Sequence, residues 1–465
     1  MKKFTFLLSF CFIIFSSSLS FSQWTNGQNA MNVIGQPNFT SNQGNTTQNG
    51  YGSVLSLWYP GNSTAIDVVN GKMYVADPAA NRVLRYNWPI TGNQPYADLV
   101  FGQADFTSNQ PNRGSSVAAN TLNRPVGLAV SSNGTLWISD AGNNRILKFN
   151  NAHSLSSNGP NADVVLGQPN MTSTSCITTQ SGLCQPYGIT LDQTGNLWVA
   201  DYYNNRVLKY NNAASKTNGA NADGVLGQSN FVSNLEAFGQ DGMFYPSSVA
   251  MSGATLFVAD YMNHRVLKFD NAASKSNGAN ADGVLGQNDF VSRIQGATQS
   301  NFYGPNGIEV DINGNLYVAD VDIHRVTIFL NAASKSNGAN ADYVLGQSDF
   351  TSFLNGTTQN KFSYPGGVSV DNNLGCILVH DSYNNRVLVF QSNRSFTAGS
   401  GFPSTQASNI TPSELRATSM GLTWNKGNGA GSFLVVKAND PLAVADLPRY
   451  GTSYSSYNTN FSSAP

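Results

Sequence analysis

Apolar residues along this chain come in short bursts that return with a period of about 60 residues. The clearest copy is LWVADYYNNRVLKY, which runs from Leu197 to Tyr210. Related segments begin at Met73, Leu136, Leu256, Leu316 and Ile377. A fixed period of this size is the signature of a repeat architecture, in which each repeat forms one supersecondary unit. A residue present in every copy is therefore expected to hold the repeat together.

Each repeat contains four apolar bursts separated by turn residues. In the third repeat these bursts are PYGITLD, NLWVAD, RVLKY and GVLGQ, which ends at Gln228. Bursts of four to six residues bounded by Gly, Asn and Asp predict β-strands and are too short for helices. We therefore expect one antiparallel, four-stranded meander per repeat. Its first strand should begin with proline, at Pro60, Pro125, Pro186, Pro246, Pro305 and Pro365.

The strand count also predicts how the repeats close into a ring. Fourth strands end at Gln103, Gln168, Gln228, Gln287 and Gln347, and no equivalent follows Phe390. A copy instead precedes the first repeat, where NAMNVIGQPNF resembles the later NADGVLGQSNF. We predict that Asn32 to Gln36 pairs with Arg386 to Phe390, because this pairing removes two open sheet edges. The expected fold is an all-β, six-bladed propeller.

Every repeat carries an aspartate and, five residues later, an arginine. A carboxylate accepts hydrogen bonds from a guanidinium group and from loop N–H groups, so these residues are interpreted as structural pairs rather than a ring of catalytic acids. The pairs are Asp77 with Arg82, Asp140 with Arg145, Asp201 with Arg206, Asp260 with Arg265, Asp320 with Arg325 and Asp381 with Arg386.

The PxG start, the GNLYVAD core and the NNRVLKF tail resemble the NHL repeat family over about residues 23–392. The resemblance implies a six-bladed propeller, in agreement with the strand count. It implies little about activity, since the family includes binding modules as well as lyases and related hydrolases. Propeller lyases of this type bind zinc through histidines that project into the central channel. No three histidines of this chain occupy such equivalent positions, so no metal and no cofactor are expected.

The ends of the chain differ from the repeats. Residues 1–22, with Lys2 and Lys3 before an apolar run, are interpreted as a signal peptide, which predicts a secreted or cell-surface protein. Residues 393–409 are interpreted as a linker rich in Ser, Gly and Thr. Residues 410–465 resemble the front half of a fibronectin type III domain, with strands expected at Glu414 to Asn425 and Ser432 to Ala438.

Composition narrows the range of partners. Only 11% of the residues are charged and the formal net charge is −1, so there is no basic face for nucleic acid. After residue 22 no segment approaches about 18 apolar residues, so membrane insertion is not expected either. The protein is expected to be a monomer. Cys176 and Cys184 lie in one loop, and export would allow them to form a disulfide. Cys376 lies in a strand and is interpreted as a small buried residue.

Tyrosines occupy the positions at which the repeats diverge. The loop before the first strand and the loop after the second strand share one face of a propeller. These loops carry Tyr59, Tyr202, Tyr203, Tyr245, Tyr261, Tyr364 and Tyr383. Exposed tyrosine combines an apolar ring with a hydroxyl, which suits sugar rings and extended peptides. The alternative is that these rings only pack between blades.

Two functions therefore remain open. The favoured one is non-enzymatic binding or adhesion, with a carbohydrate or a protein or peptide ligand held by the tyrosine face. The other is a propeller lyase or hydrolase with its active site in the central channel, where Glu309 is the unusual acid. The histidines at the shared repeat slot, His264 and His324, are expected to have exposed or capping roles.

Overall fold

Six four-stranded antiparallel sheets make up a six-bladed β-propeller. The structure is a computed structural model that describes residues 24–52 and 63–393, together with the backbone of 408–416 and 419–425. Five first strands begin at the predicted prolines, which are Pro125, Pro186, Pro246, Pro305 and Pro365. Pro60 lies outside the described residues.

The strands follow one another in the same order in every blade. Blade 1 comprises β2 (Thr64–Asp67), β3 (Lys72–Asp77), β4 (Arg82–Asn87) and β5 (Leu99–Phe101). Blade 2 comprises β6 (Pro125–Val130), β7 (Leu136–Asp140), β8 (Arg145–Phe149) and β9 (Val164–Leu166). Blade 3 comprises β10 (Pro186–Leu191), β11 (Leu197–Asp201), β12 (Arg206–Tyr210) and β13 (Gly224–Leu226). Blade 4 comprises β14 (Pro246–Ser252), β15 (Thr255–Asp260), β16 (Arg265–Phe269) and β17 (Gly283–Leu285). Blade 5 comprises β18 (Pro305–Val310), β19 (Leu316–Asp320), β20 (Arg325–Phe329) and β21 (Tyr343–Leu345).

Blade 6 takes strands from both ends of the repeat region. It comprises β22 (Pro365–Asp371), β23 (Cys376–Asp381) and β24 (Arg386–Gln391), with β1 (Asn32–Ile34) as its fourth strand. β1 runs antiparallel to β24, with Asn32 opposite Val389 and Ile34 opposite Val387.

Short 3-10 turns connect the strands. They span Pro78–Ala80, Pro111–Gly114, Ala141–Asn143, Ala152–Ser154, Tyr202–Asn204, Ala213–Ser215, Tyr261–Asn263, Ala272–Ser274, Val321–Ile323, Ala332–Ser334 and Ser382–Asn384. In every blade the turn after the repeated Asp ends at a left-handed residue, such as Asn205 with φ of 50° or His324 with φ of 55°. Asparagine is frequent there because it tolerates positive φ better than most residues do.

The core lies between the blades. Both faces of the second strands are apolar, and Leu197, Trp198, Val199 and Ala200 of β11 are all buried. Trp198 packs with blade 4 and Val199 with blade 2 residues, so one strand contributes to two hydrophobic clusters. A strand covered on both sides needs this continuous apolar run, which explains the repeated LWVA and LYVA bursts.

The C-terminal segment contains one described hairpin, β25 (Ser408–Arg416) with β26 (Ser419–Asn425). The prediction of a single strand from Glu414 to Asn425 is therefore wrong, because that stretch belongs to two strands. The apolar–polar alternation runs through both of them and does not mark where the chain reverses. The predicted signal peptide, most of the predicted linker and the predicted strand at Ser432 to Ala438 lie outside the described residues. Among the described residues, no helix has the length and apolar character needed to cross a membrane.

Candidate functional site

The upper face is defined here as the side of the ring where second strands end at the repeated Asp and first strands begin at proline. Three kinds of residue meet on this face: the repeated Asp–Arg pairs, the residue before each proline, and the residues that follow each Asp. The first kind is the same in every blade, whereas the other two vary.

The repeated Asp–Arg pairs are fully enclosed. Asp201 accepts hydrogen bonds from Nε of Arg206 at 2.8 Å, Nδ2 of Asn204 at 2.8 Å and the Cys184 N–H at 2.7 Å. Arg206 also donates to the carbonyls of Thr179 and Gly182. Burial raises the pKa of the Asp201 carboxyl, while Arg206 opposes that shift.

Equivalent ion pairs occur in the other five blades, at 2.7 to 3.1 Å. With both side chains buried in each pair, these aspartates have no surface to offer a ligand. Their role is to tie the loop before the first strand to the turn after the second.

The residue before the proline is fixed by the preceding blade. Arg124, Gln185, Tyr245 and Tyr364 all adopt left-handed backbone conformations, with φ between 49° and 55°. The N–H of Tyr245 donates to Oδ1 of Asn205 at 2.9 Å. Such a conformation is costly for a bulky residue and persists where the surroundings over-determine it. The fold thus holds these four variable residues in the same rigid backbone conformation, each at the equivalent position of its own repeat on the upper face.

A cluster of four rings, Tyr187, Tyr202, Tyr203 and Tyr245, lies between blades 3 and 4 and is named the tyrosine cluster. Tyr202 is sandwiched between Tyr187 at 4.2 Å and Tyr245 at 4.7 Å, with nearly parallel ring planes. Tyr203 stands almost perpendicular to both Tyr202 and Tyr245. Tyr202 is only 8% exposed, whereas Tyr203 is 42% exposed. Tyr202 therefore supports the cluster, and Tyr203 and Tyr245 form its accessible part.

Tyr261 lies beside this cluster and donates a hydrogen bond from its hydroxyl to Oδ2 of Asp322 at 3.3 Å. Burial and the nearby Asp320 raise the pKa of Asp322. Asp322 occupies the slot that holds Tyr203, Met262 and Tyr383 in other blades. Sequence reasoning missed both Asp322 and Tyr187. The sequence signal for Asp322 was that an acid stands in the slot where blades 3 and 6 carry Tyr203 and Tyr383.

The remaining predicted tyrosines form a second, smaller group. Tyr364 and Tyr383 lie 4.5 Å apart, and the His324 ring meets Tyr364 edge-on at 4.5 Å. His324 is buried, and its Nδ1 accepts a hydrogen bond from the Tyr364 N–H at 3.2 Å. The His324 side chain therefore takes the role in blade 5 that Asn205 has in blade 3: it accepts a hydrogen bond from the N–H of the residue before the next proline. Tyr59 lies outside the described residues.

The central channel is narrow because first strands of neighbouring blades approach backbone to backbone. A Cβ on Gly127 would lie 2.1 Å from the Tyr187 carbonyl oxygen, and one on Gly307 would lie 2.4 Å from the Gly367 Cα. The cavity in this channel is partly open, measures about 30 Å³ and is lined mainly by Gly, Ser and aliphatic residues. That volume holds about two water molecules.

Glu309 is the carboxylate that lines this channel. It accepts a hydrogen bond from the Val310 N–H, and burial raises its pKa to about 7. His380 lies in blade 6, where its Nε2 is 2.8 Å from Oγ1 of Thr64 and burial lowers its pKa to about 3. Within the described residues, no group of three His, Cys, Asp or Glu side chains is placed to hold a metal ion.

The cysteines are placed as follows. Cys176 and Cys184 are joined by a disulfide in the loop that leads into blade 3. The Cys184 carbonyl accepts a hydrogen bond from the Tyr203 N–H at 3.2 Å, so this loop also fixes the exposed tyrosine. Cys376 is buried, and its burial raises the pKa of its thiol.

Two mammalian proteins match short parts of the chain. The peptidylglycine alpha-amidating monooxygenase of Rattus norvegicus is 32% identical over 25% of this chain, and that of Mus musculus is 34% identical over 22%. The match spans only 11% and 10% of the lengths of those relatives.

Solved structures match the chain at low identity. A streptogramin B lyase matches at 14% identity with a TM-score of 0.39, over 73% of this chain and 86% of that chain. A gluconolactonase of Xanthomonas campestris matches at 13% identity with a TM-score of 0.42, over 71% of this chain and 86% of that chain. The NHL repeat itself is matched at residues 122–149, 183–210 and 362–390. With the six sheets described above, these three matches make the chain a six-bladed propeller that carries three NHL repeats.

Proposed function

We propose that this protein is a binding propeller that holds a carbohydrate or polypeptide ligand on its upper face, at the tyrosine cluster. The observation that carries the proposal is that exposed Tyr203 and half-buried Tyr245 lie on a support of buried rings, Tyr202 and Tyr187. Rings held in this way lose little conformational freedom when a ligand stacks on them. Each such contact contributes roughly 1 kcal/mol to binding.

The alternative is a lyase or hydrolase that works in the central channel. Glu309 favours it, since a carboxyl group with a pKa of about 7 is suited to proton transfer at neutral pH. The cavity around Glu309 is about 30 Å³, which admits water but not a sugar ring or a peptide group. We therefore prefer binding at the mouth over chemistry in the channel.

We also propose that the protein is exported and that its N-terminal strand closes the ring. Export is supported by the apolar run near residues 4–15 and by the Cys176–Cys184 disulfide, which an oxidising compartment would preserve. Closure is supported by Gln36, whose Nε2 donates to the Asn385 carbonyl as Gln228 donates to that of Asn205. Removing residues 23–40 should lower the midpoint of urea unfolding far more than removing residues 411–465. Equal losses would contradict closure.

Glycan and peptide arrays probed with the full chain test the binding function. Changing Tyr203→Ala and Tyr245→Ala together should weaken binding by about tenfold or more, because two stacking contacts are lost. Tyr96→Ala is the matched control, since Tyr96 is 68% exposed on the opposite face. The absence of any array ligand, or equal binding by the double variant, would contradict the proposal.

A further inference from the structure

Exposed apolar side chains are concentrated on one part of the propeller. The loops that lead into blades 4, 5 and 6 carry an apolar arc, defined as Val232, Leu235, Val291, Ile294, Phe353 and Leu354. All six of these side chains are more than half exposed, although each is large and apolar. Scattered exposed apolar residues are ordinary, but a concentration on one face marks an interaction surface.

One position of this arc can be compared among all six loops. The side chain seven residues after the repeated Gln is Leu235, Ile294 or Leu354 in the loops that lead into blades 4, 5 and 6. These three are 74%, 61% and 71% exposed, respectively. In the loops that lead into blades 1, 2 and 3, the same slot holds Gln43, Gln110 and Ser175.

The backbone of this slot is held identically in all six loops. The Gln Nε2 donates to the slot's carbonyl oxygen at 2.7 to 3.0 Å in every case. The fold therefore accommodates polar residues at this position, so folding alone does not explain why three of the loops carry apolar residues there.

Charged residues are also distributed unevenly between the loops that lead into blades 4 to 6 and those that lead into blades 1 to 3. The three loops that carry the arc, with the Asp-following turns of blades 4 to 6, contain five carboxylates, at Glu236, Asp241, Asp289, Asp322 and Asp349. They contain two cations, Arg293 and Lys361. Hydroxyl and N–H donors lower the pKa values of Asp289 and Asp349, which keeps both ionised. None of the five carboxylates takes part in an ion pair among the residues that the structure describes.

The loops that lead into blades 1 to 3 show the opposite balance. They and the corresponding turns contain one carboxylate, Asp105, and two cations, Arg113 and Arg124. The half of the upper face that is apolar is therefore also the half that is acidic.

From these features we infer that the apolar arc binds a polypeptide segment that presents apolar side chains together with lysine or arginine. The inference rests on the proposed function and identifies the class of ligand. Five of the six arc side chains are aliphatic and can neither donate nor accept hydrogen bonds with sugar hydroxyls, so the arc favours a polypeptide over a carbohydrate. Acidic groups repel an anionic membrane and attract a basic segment, and Tyr203 and Tyr245 extend the surface with rings that stack on cations.

An array of synthetic peptides in four matched classes tests the inference with the full chain. The classes are apolar–basic, apolar–acidic, polar–basic and polar–acidic. We expect apolar–basic peptides to bind best, and their binding to weaken as salt is raised because four of the five carboxylates are exposed. Preference for another class, or binding to phosphatidylserine vesicles in place of peptides, would overturn the inference.

A triple variant, Leu235→Gln with Ile294→Gln and Leu354→Gln, tests the arc directly. It should fold, because the same slot holds Gln43 and Gln110, and a thermal melt checks this. We expect apolar–basic peptides to bind it about tenfold or more weakly, since three apolar contacts are lost. The control, Gln43→Ala with Gln110→Ala and Ser175→Ala, changes the same slot in the polar half and should bind like the parent.

The outcomes separate this inference from the proposed function. If the triple variant binds like the parent while the Tyr203→Ala and Tyr245→Ala variant does not, the tyrosine site stands and the arc fails. A second variant, Glu236→Gln with Asp322→Asn, should reduce the preference for basic over acidic peptides. An unchanged preference would remove the charge part of the inference.

Discussion

The Asp–Arg pairs and the tyrosine cluster lie on the same face of the propeller and differ in every property that matters for function. The pairs repeat in all six blades, are buried, and saturate their hydrogen bonds within the fold. Among the described residues the tyrosine cluster occurs once; Tyr203 is exposed and Tyr245 is half-buried. Repetition here marks what builds a blade, and divergence marks what a blade can present to a ligand.

The largest effect should come from breaking one Asp–Arg pair. Arg206→Leu would leave Asp201 buried without its counter-ion and would leave the Thr179 and Gly182 carbonyls without their donor. We expect a loss of about 3–5 kcal/mol in the free energy of unfolding, measured by urea titration.

The control for this change lies in the same blade. Lys216 and Asp223 form a partly exposed ion pair at 2.7 Å, so Lys216→Met should cost less than about 1 kcal/mol. Equal losses from the two substitutions would show that the buried pair has no special structural role.

A pH-dependent effect should come from Glu309. Its pKa in the folded protein is about 7, above its ordinary value of 4.5, so between these values the folded state binds more protons than the unfolded state. The stability contributed by protonated Glu309 is therefore present below about pH 4.5 and is lost as the pH rises towards 7. The loss is at most about 1.4 kcal/mol per pH unit, because a single group releases a single proton.

Glu309→Gln should remove this loss and make the protein more stable than the parent above pH 7. Urea midpoints of both proteins between pH 4 and 8 measure the difference. The depressed pKa of His380 makes both proteins less stable as the pH falls below about 6.5, so its effect cancels in the comparison. Parallel curves for the two proteins would contradict the assignment.

A smaller effect should come from the disulfide. Cys176 and Cys184 are eight residues apart, and opening so short a loop costs roughly 2.5 kcal/mol in the chain-entropy model. The double change to serine should lower the urea midpoint, and reduction of the parent with dithiothreitol should lower it equally. Unchanged midpoints in both experiments would show that this loop is held by its other hydrogen bonds.

The blades could be predicted from the sequence because strand signals are local and occur six times. The buried LWVA and LYVA bursts and the prolines before them mark strands in each copy separately. The tyrosine face could be predicted only as a set of positions. Its division into a stack around Tyr202 and a pair at Tyr364 and Tyr383 depends on ring packing across blades.

Other features depend on contacts that no single repeat encodes. Asp322 belongs to the site because Tyr261 of the neighbouring blade reaches it. The narrow channel depends on glycines from adjacent blades that meet backbone to backbone. The hairpin at β25 and β26 escaped prediction because alternation alone gives no sign of a turn.

The most direct test measures stability and binding on the same two variants. For a ligand selected from the arrays, Asp201→Asn should lower the urea midpoint and leave the dissociation constant unchanged at temperatures where the variant is folded. Tyr203→Ala with Tyr245→Ala should lower the midpoint much less than Asp201→Asn does and raise the dissociation constant about tenfold or more. If Asp201→Asn abolished binding in a fully stable protein, or if the tyrosine variant lost stability and kept its affinity, the separation between a repeated frame and a divergent binding face would be wrong.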